Sequence, residues 1–236
     1  MEFIHCSLDD IECARGTVIV IDVLRAFTTA AFAFDRGAKF ILPVATVDEA
    51  FGMREGNPDL LLMGETNALP VPGFDLPNSP HSVGQAELAG RTIVHRSTAG
   101  TQGIVRTQTF DRMFATGLTT ARATVQAILS EPTQTVSFVA TGVKATGGGE
   151  EDSACAEYME QLLLGDDMEP STLVERVIHS SAAQMFLDPE EPDFPPQDVA
   201  LALDIDRFDF AMPVVRRQDR LILSVDRQLA EPPAKS

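Results

Sequence analysis

Apolar, β-branched runs bare of charge alternate with helical patterns along most of the chain. Residues 17–21 (TVIVI) read as a buried strand that Asp22 ends. Residues 25–36 (RAFTTAAFAFDR) follow as a helix stopped by Gly37. A second strand is expected over 40–44. Next to it, Thr46-Val47-Asp48-Glu49 has the S/T-x-x-E form of a capping box, which opens another helix. Residues 60–63, 91–95, 112–116 and 135–140 predict four more strands, and 100–107, 119–129, 152–164 and 171–186 predict helices. This alternation implies the α/β class, with a three-layer α/β/α sandwich around a largely parallel or mixed sheet.

Two stretches interrupt the pattern. Residues 69–80 (LPVPGFDLPNSP) hold four prolines and read as an irregular loop, expected to be ordered over the strand ends with Phe74 as its anchor. Residues 188–197 (DPEEPDFPPQ) are acidic and proline-rich. They suggest a division into an α/β body over 1–187, which carries the site, and a linker with a C-terminal segment over 188–236. That segment would pack on the same body as part of one domain, with two closing strands within 213–225. The last residues, AEPPAKS, read as a frayed tail.

The 236 residues are 44% hydrophobic and 22% charged, which excludes disorder for the bulk of the chain. Eighteen Lys and Arg against 35 Asp and Glu give a net charge of −17, a field that repels phosphate backbones and argues against a nucleic-acid partner. Cys6, Cys13 and Cys155 are too few and scattered for a disulfide framework, and the lack of any CxxC pair argues against structural zinc. Acids at the amino end and the shortness of the apolar runs argue against a signal peptide and a membrane span. The expectation is a soluble, reduced, cytoplasmic protein.

Ligands of parallel α/β sheets bind beyond the carboxyl ends of the strands. There the chain places Asp22, Arg25, Thr28 and Thr29; Gly64 and Glu65; Arg96 to Gly103; and Thr141-Gly142, before a glycine-rich turn into Glu150, Glu151 and Asp152. Acids can hold a hard cation, while arginines, hydroxyls and loop N–H groups can hold phosphate oxygens. Each feature also has a plain structural reading. Asp22 suits a helix cap, Arg25 a surface ion pair, Ser97 to Thr101 a helix start, and Gly147-Gly148-Gly149 a connector. Spacing excludes several chemistries. No Arg stands six positions after any Cys, Gly148 replaces the P-loop lysine, and no G-x-S-x-G or H-E-x-x-H occurs.

Three stretches together resemble the 2-phosphosulfolactate phosphatase family. Val20-Ile21-Asp22-Val23-Leu24-Arg25-Ala26-Phe27-Thr28-Thr29 is similar to that family's I-D-x-L-R-A-T-T-T. Gly64-Glu65, followed by Gly73-Phe74-Asp75-Leu76-Pro77-Asn78-Ser79-Pro80, is similar to its G-E…G-F-D-x-x-N-S-P. Ser97-Thr98-Ala99-Gly100-Thr101-Gln102-Gly103 is similar to its T-T-N-G-T-x-A loop, and Glu151-Asp152…Cys155-Ala156 is a weaker fourth match. Ala99 stands where the family has Asn, and Phe27 where it has Thr.

The resemblance implies a Mg²⁺-dependent hydrolase acting on a small phosphorylated organic acid, linked to coenzyme M synthesis and expected to be a homodimer. Under it, Asp22, Arg25 and Asp152 are the catalytic candidates, and Asp22, Glu65, Asp75 and Asp152 the metal shell. Thr28, Thr29, Asn78, Ser79, Arg96, Ser97, Thr98, Gly100, Thr101 and Gly103 are the candidate substrate contacts. The alternatives are a non-catalytic phosphometabolite-binding protein, a phosphatase acting on a different small acidic phosphoester, or a phosphotransferase using the same site with an alcohol acceptor instead of water.

Overall fold

The computed structural model describes residues 1–142, 149–166, 168–191 and 193–225. The expected Gly147-Gly148 connector and the AEPPAKS tail lie outside the described residues.

Eleven strands form one mixed sheet. One parallel block consists of β1 (Glu2–Ser7), β9 (Thr135–Ala140), β2 (Thr17–Ile21) and β8 (Arg112–Thr116), in that order. The other consists of β3 (Phe40–Pro43), β7 (Thr92–Arg96) and β4 (Leu61–Thr66), with the two-residue strands β5 (Leu69–Pro70) and β6 (Leu76–Pro77) on β4. Between the blocks lies an antiparallel hairpin, β10 (Met212–Arg217) and β11 (Arg220–Leu223), which pairs with β8 on one side and β3 on the other. The expected closing strands are therefore central.

Antiparallel pairing through the hairpin makes the two blocks run in opposite senses. Flattened, the sheet would put the ends of β2 and β7 on opposite edges. Five inter-strand steps separate them, and a twist of roughly 20–25° per step accumulates to about 100–125°. That rotation swings the carboxyl ends of both blocks toward one another.

Helices cover both faces. α1 (Ala26–Asp35) is charge-free up to its last residue, with Ala26 to Phe34 all buried, as suits a helix enclosed by the fold. It shares one core with Val18 and Val20 of β2, Ile41 of β3, Met63 of β4 and Ile93 of β7. α3 (Pro80–Val83) and α4 (Gly100–Arg106) lie on this face too, and Ile104 of α4 and Val83 of α3 join that core. Alternate strand residues face outward. Ile19 and Ile21 meet α5 (Ala121–Leu129), α6 (Glu150–Leu164) and α7 (Pro170–Ile178), while Leu62 and Val94 meet α2 (Val47–Gly56). Helix–sheet–helix layering is thus present, around a mixed sheet.

Thr46 caps α2 by accepting the Glu49 N–H at 3.1 Å, but Glu49 reaches back to the Ala45 N–H instead of its own cap residue. The single helix expected over 171–186 is two: Ser180 accepts the Ala183 N–H and starts α8 (Ser181–Leu187). The presumed linker ends in α9 (Pro196–Ala202), where Pro196 occupies the first turn that tolerates it. Within 69–80 the prolines flank two short strands and α3, and Phe74 packs edge-on against Phe51 of α2, 5.5 Å between ring centres. Cys6 and Cys13 are joined as a disulfide across a Cα–Cα distance of 6.5 Å, which corrects the all-reduced expectation. Among the described residues no helix is long and apolar enough to cross a membrane.

Candidate functional site

Asp22 follows directly on β2, and only 6% of it is exposed. Its Oδ1 accepts the Ala26 N–H at 2.8 Å, so the plain capping role is real. A Cβ on Gly100 would lie 2.6 Å from Asp22 Oδ2 and 2.8 Å from Ala26 Cβ; the missing side chain lets α4 approach this closely. Three residues on, a Cβ at Gly103 would meet Val20 Cγ1 at 2.4 Å. The start of α4, which follows β7, therefore lies directly against the end of β2. Burial pushes the Asp22 carboxyl up to about 7; the Ala26 N–H pulls it down, and the charges of Glu65 and Glu151 push it up.

Asp152 stands in the first turn of α6, where the helix dipole favours an acid. Its Oδ1 accepts the Val23 N–H at 2.8 Å, and its Oδ2 accepts the Thr141 and Gly142 N–H groups at 3.1 and 2.9 Å. It thereby ties the ends of β2 and β9 together. Burial raises its pKa well above the ordinary value, and the neighbouring Glu151 and Asp22 raise it further. Glu151 is 3% exposed, is shifted upward chiefly by burial, and leaves Oε2 with no hydrogen-bond partner among the described residues.

Glu65, at the end of β4, accepts the Thr98 N–H on Oε1, and the Thr98 hydroxyl (2.8 Å) and Ala68 N–H (2.6 Å) on Oε2. Arg96 donates from Nη1 to the Glu65 carbonyl at 2.5 Å and to Thr66 Oγ1 at 3.0 Å, while its Nε is buried without a partner among the described residues. Ser97 and Thr101 cap each other: each N–H donates to the other's hydroxyl at 2.8 Å. The Ser97 and Thr98 N–H groups are thus engaged within the protein. Of the N–H groups expected to hold phosphate, over residues 100–103, that of Thr101 goes to the Ser97 hydroxyl and that of Gly103 to the Ala99 carbonyl.

Arg25 follows a cis peptide bond from Leu24 and is 6% exposed. It does not pair with Asp22. Its Nη1 donates to Asp198 of α9 at 3.0 Å, its Nη2 to the Ala68 carbonyl at 3.0 Å, and its guanidinium lies over the Phe186 ring at 4.7 Å. Asp198 also accepts the Ser79 hydroxyl at 2.8 Å and the His81 N–H at 3.0 Å. Ser79 caps α3, and Asn78 Oδ1 lies 3.1 Å from His95 Nε2. Thr28 donates to the Val23 carbonyl, while the Thr29 hydroxyl is buried and unpartnered among the described residues. Asp75 falls outside the cluster. Its Oδ2 accepts from Arg54 at 3.0 Å and from the Leu62 N–H at 2.7 Å, three residues before Glu65 and so about 10 Å down β4. The Phe27 side chain, where the family pattern has Thr, is a core residue.

The structure thus gathers Asp22, Glu65, Gly100, Glu151 and Asp152 at one place, with Arg96, Ser97 and Thr98 beside Glu65. Arg25, Ser79 and Asn78 form an adjoining buried layer. Glu151 carried a signal in sequence, the acid run after the glycines. Asp198 carried none, because its helix is hidden behind two prolines.

Comparison with known proteins gives the context for this cluster. A family model for 2-phosphosulpholactate phosphatase matches residues 5–212. A protein of Bacillus subtilis (strain 168) named probable 2-phosphosulfolactate phosphatase is 33% identical over 210 residues, 89% of this chain and 90% of that one. Proteins of the same name are 38% identical over 150 residues in Deinococcus radiodurans (63% and 62% of the two chains) and 30% identical over 196 residues in Prochlorococcus marinus (strain MIT 9303), 80% of each. The chain belongs to the 2-phosphosulpholactate phosphatase family.

Proposed function

We propose that this chain is a Mg²⁺-dependent hydrolase that converts 2-phosphosulfolactate to sulfolactate and orthophosphate. Beyond family membership, the reading is carried by one observation. Asp22 and Glu151 are both buried acids, the charge of Glu151 helps to raise the Asp22 carboxyl, and Glu151 Oε2 has no hydrogen-bond partner among the described residues.

The donor set supports a shared cation better than an all-protein cage. Glu65 and Asp152 fill both oxygens with N–H or hydroxyl donors, and Asp75 is held by Arg54. Among the described residues no group of three or more His, Cys, Asp or Glu side chains is arranged to hold a metal. Mg²⁺ commonly takes only one or two carboxylates and completes its shell with water and phosphate oxygens, and Asp22 with Glu151 fits that need. When bound, the cation neutralises charge on the phosphoryl oxygens and the leaving ester oxygen.

The chain's own groups do the rest. Arg96 presents its unpartnered Nε to an anionic oxygen, while its Nη1 is fixed by the Glu65 carbonyl and Thr66. Glu65 holds the Thr98 loop beside it, and Asp152 holds the turn from β2 that carries Asp22. Water attacks phosphorus, the ester P–O bond breaks, and the leaving oxygen takes a proton.

The test is phosphate release from a panel of small phosphomonoesters that includes 2-phosphosulfolactate, with Mg²⁺ and with EDTA. Release from that substrate, lost on chelation, is expected. No release from any member of the panel overturns the reading.

A further inference from the structure

Asp198 is fully buried, and three donors converge on it: Arg25 Nη1, the Ser79 hydroxyl and the His81 N–H. A carboxylate so enclosed is stable only because it is paired and hydrogen-bonded, and its removal strands the partner charge. The partner is held on its other sides as well. Phe186 and Phe194 lie 4.7 and 5.9 Å from the Arg25 guanidinium carbon, and both belong to a small core between α8 and α9 against which Leu24 and Ala68 pack.

From Arg25 the connection runs on to the cluster. Nη2 holds the Ala68 carbonyl at 3.0 Å, and the same residue's N–H donates to Glu65 Oε2 at 2.6 Å. Asn67 and Ala68 both have left-handed backbones, with φ of 51° and 67°, so this turn is held by its contacts and not by intrinsic preference. Glu65 in turn holds Thr98 by both its N–H and its hydroxyl.

We infer that Asp198 is a positioning residue for hydrolysis: through Arg25 it fixes the Ala68 turn, and with it Glu65 and the Thr98 loop. The inference rests on the hydrolase reading above. It gives α9 a part in the reaction.

A double-mutant cycle tests it. kcat and KM per folded molecule are measured for the wild type, Asp198→Asn, Arg25→Ala and the double variant, with folding followed by thermal unfolding. Asp198→Asn is expected to lower kcat on the order of 10- to 100-fold, the usual loss when an outer supporting group is changed. In the Arg25→Ala background the same change is expected to add less than about threefold, because the path is already cut. A merely structural Asp198 would lower Tm with kcat per folded molecule unchanged. That result overturns the inference, as do losses that multiply in the double variant. If Asp198→Asn does not fold, Phe186→Leu removes the ring under the guanidinium while keeping apolar bulk; it is expected to lower kcat in the wild type and not in Arg25→Ala. If the wild type releases no phosphate, the hydrolase reading fails by itself. The four orthophosphate affinities, by calorimetry, then read the coupling without turnover. A wild type that also binds no orthophosphate overturns both.

Discussion

Asp22 serves two roles that a substitution can separate. Its Oδ1 caps the turn into α1, while burial and neighbouring acids hold its carboxyl up to about 7. An amide keeps the oxygen that accepts the Ala26 N–H but cannot give an anionic ligand to a cation. Asp22→Asn is therefore expected to lower phosphatase activity at least about 100-fold. Its Tm at pH 8 should equal or exceed that of the wild type, since one charge leaves a crowded acid cluster. Full activity in this variant would remove Asp22 from the reaction. Arg25 shows the reverse lesson. In sequence it stands three residues from Asp22 and invites a pairing; in the fold its guanidinium turns to Asp198, 173 residues away.

At the scale of elements, legibility followed burial. β8 and β9 have the bounds their apolar runs predict, and so does β2, whose five residues are all buried. β1 went unread because its first four positions are exposed or half-buried and show no apolar run. α9 went unread because prolines at 195 and 196 look like a break, although a helix accepts Pro in its first turn. The acids at the strand ends were legible for the same reason as the strands. Asp75 was misplaced because its motif spacing says nothing about the side on which Arg54 waits.

β7 carries a further readout. His95 is 1% exposed beside Asn78, and burial lowers its pKa to about 3 from an ordinary 6.5. The unfolded chain then binds the proton more readily between those values, so folding stability falls as pH drops from 6.5 toward 3. The shift corresponds to on the order of 5 kcal/mol across that window. His95→Gln, which does not titrate, is expected to give a flatter dependence of the urea midpoint between pH 6.5 and 4. Parallel curves for the two proteins would show that His95 is protonated in the folded state.

For the whole molecule, the decisive feature is the hairpin between two opposed blocks. β10 pairs with β8 and β11 with β3, so without them each block ends in an open edge. A chain ending at residue 209 is expected to lose cooperative thermal unfolding and near-ultraviolet circular dichroism. A native-like transition in that chain would make the hairpin an appendage. The same arrangement bears on synthesis. Domains commonly fold as they emerge from the ribosome, amino end first. Here β1 waits for a partner made 133 residues later, and the two blocks cannot join until residues 212–223 exist. Until then the nascent chain carries two unpaired strand edges and the apolar side chains of α1, so its yield in a cell is expected to fall when holdase chaperones are depleted.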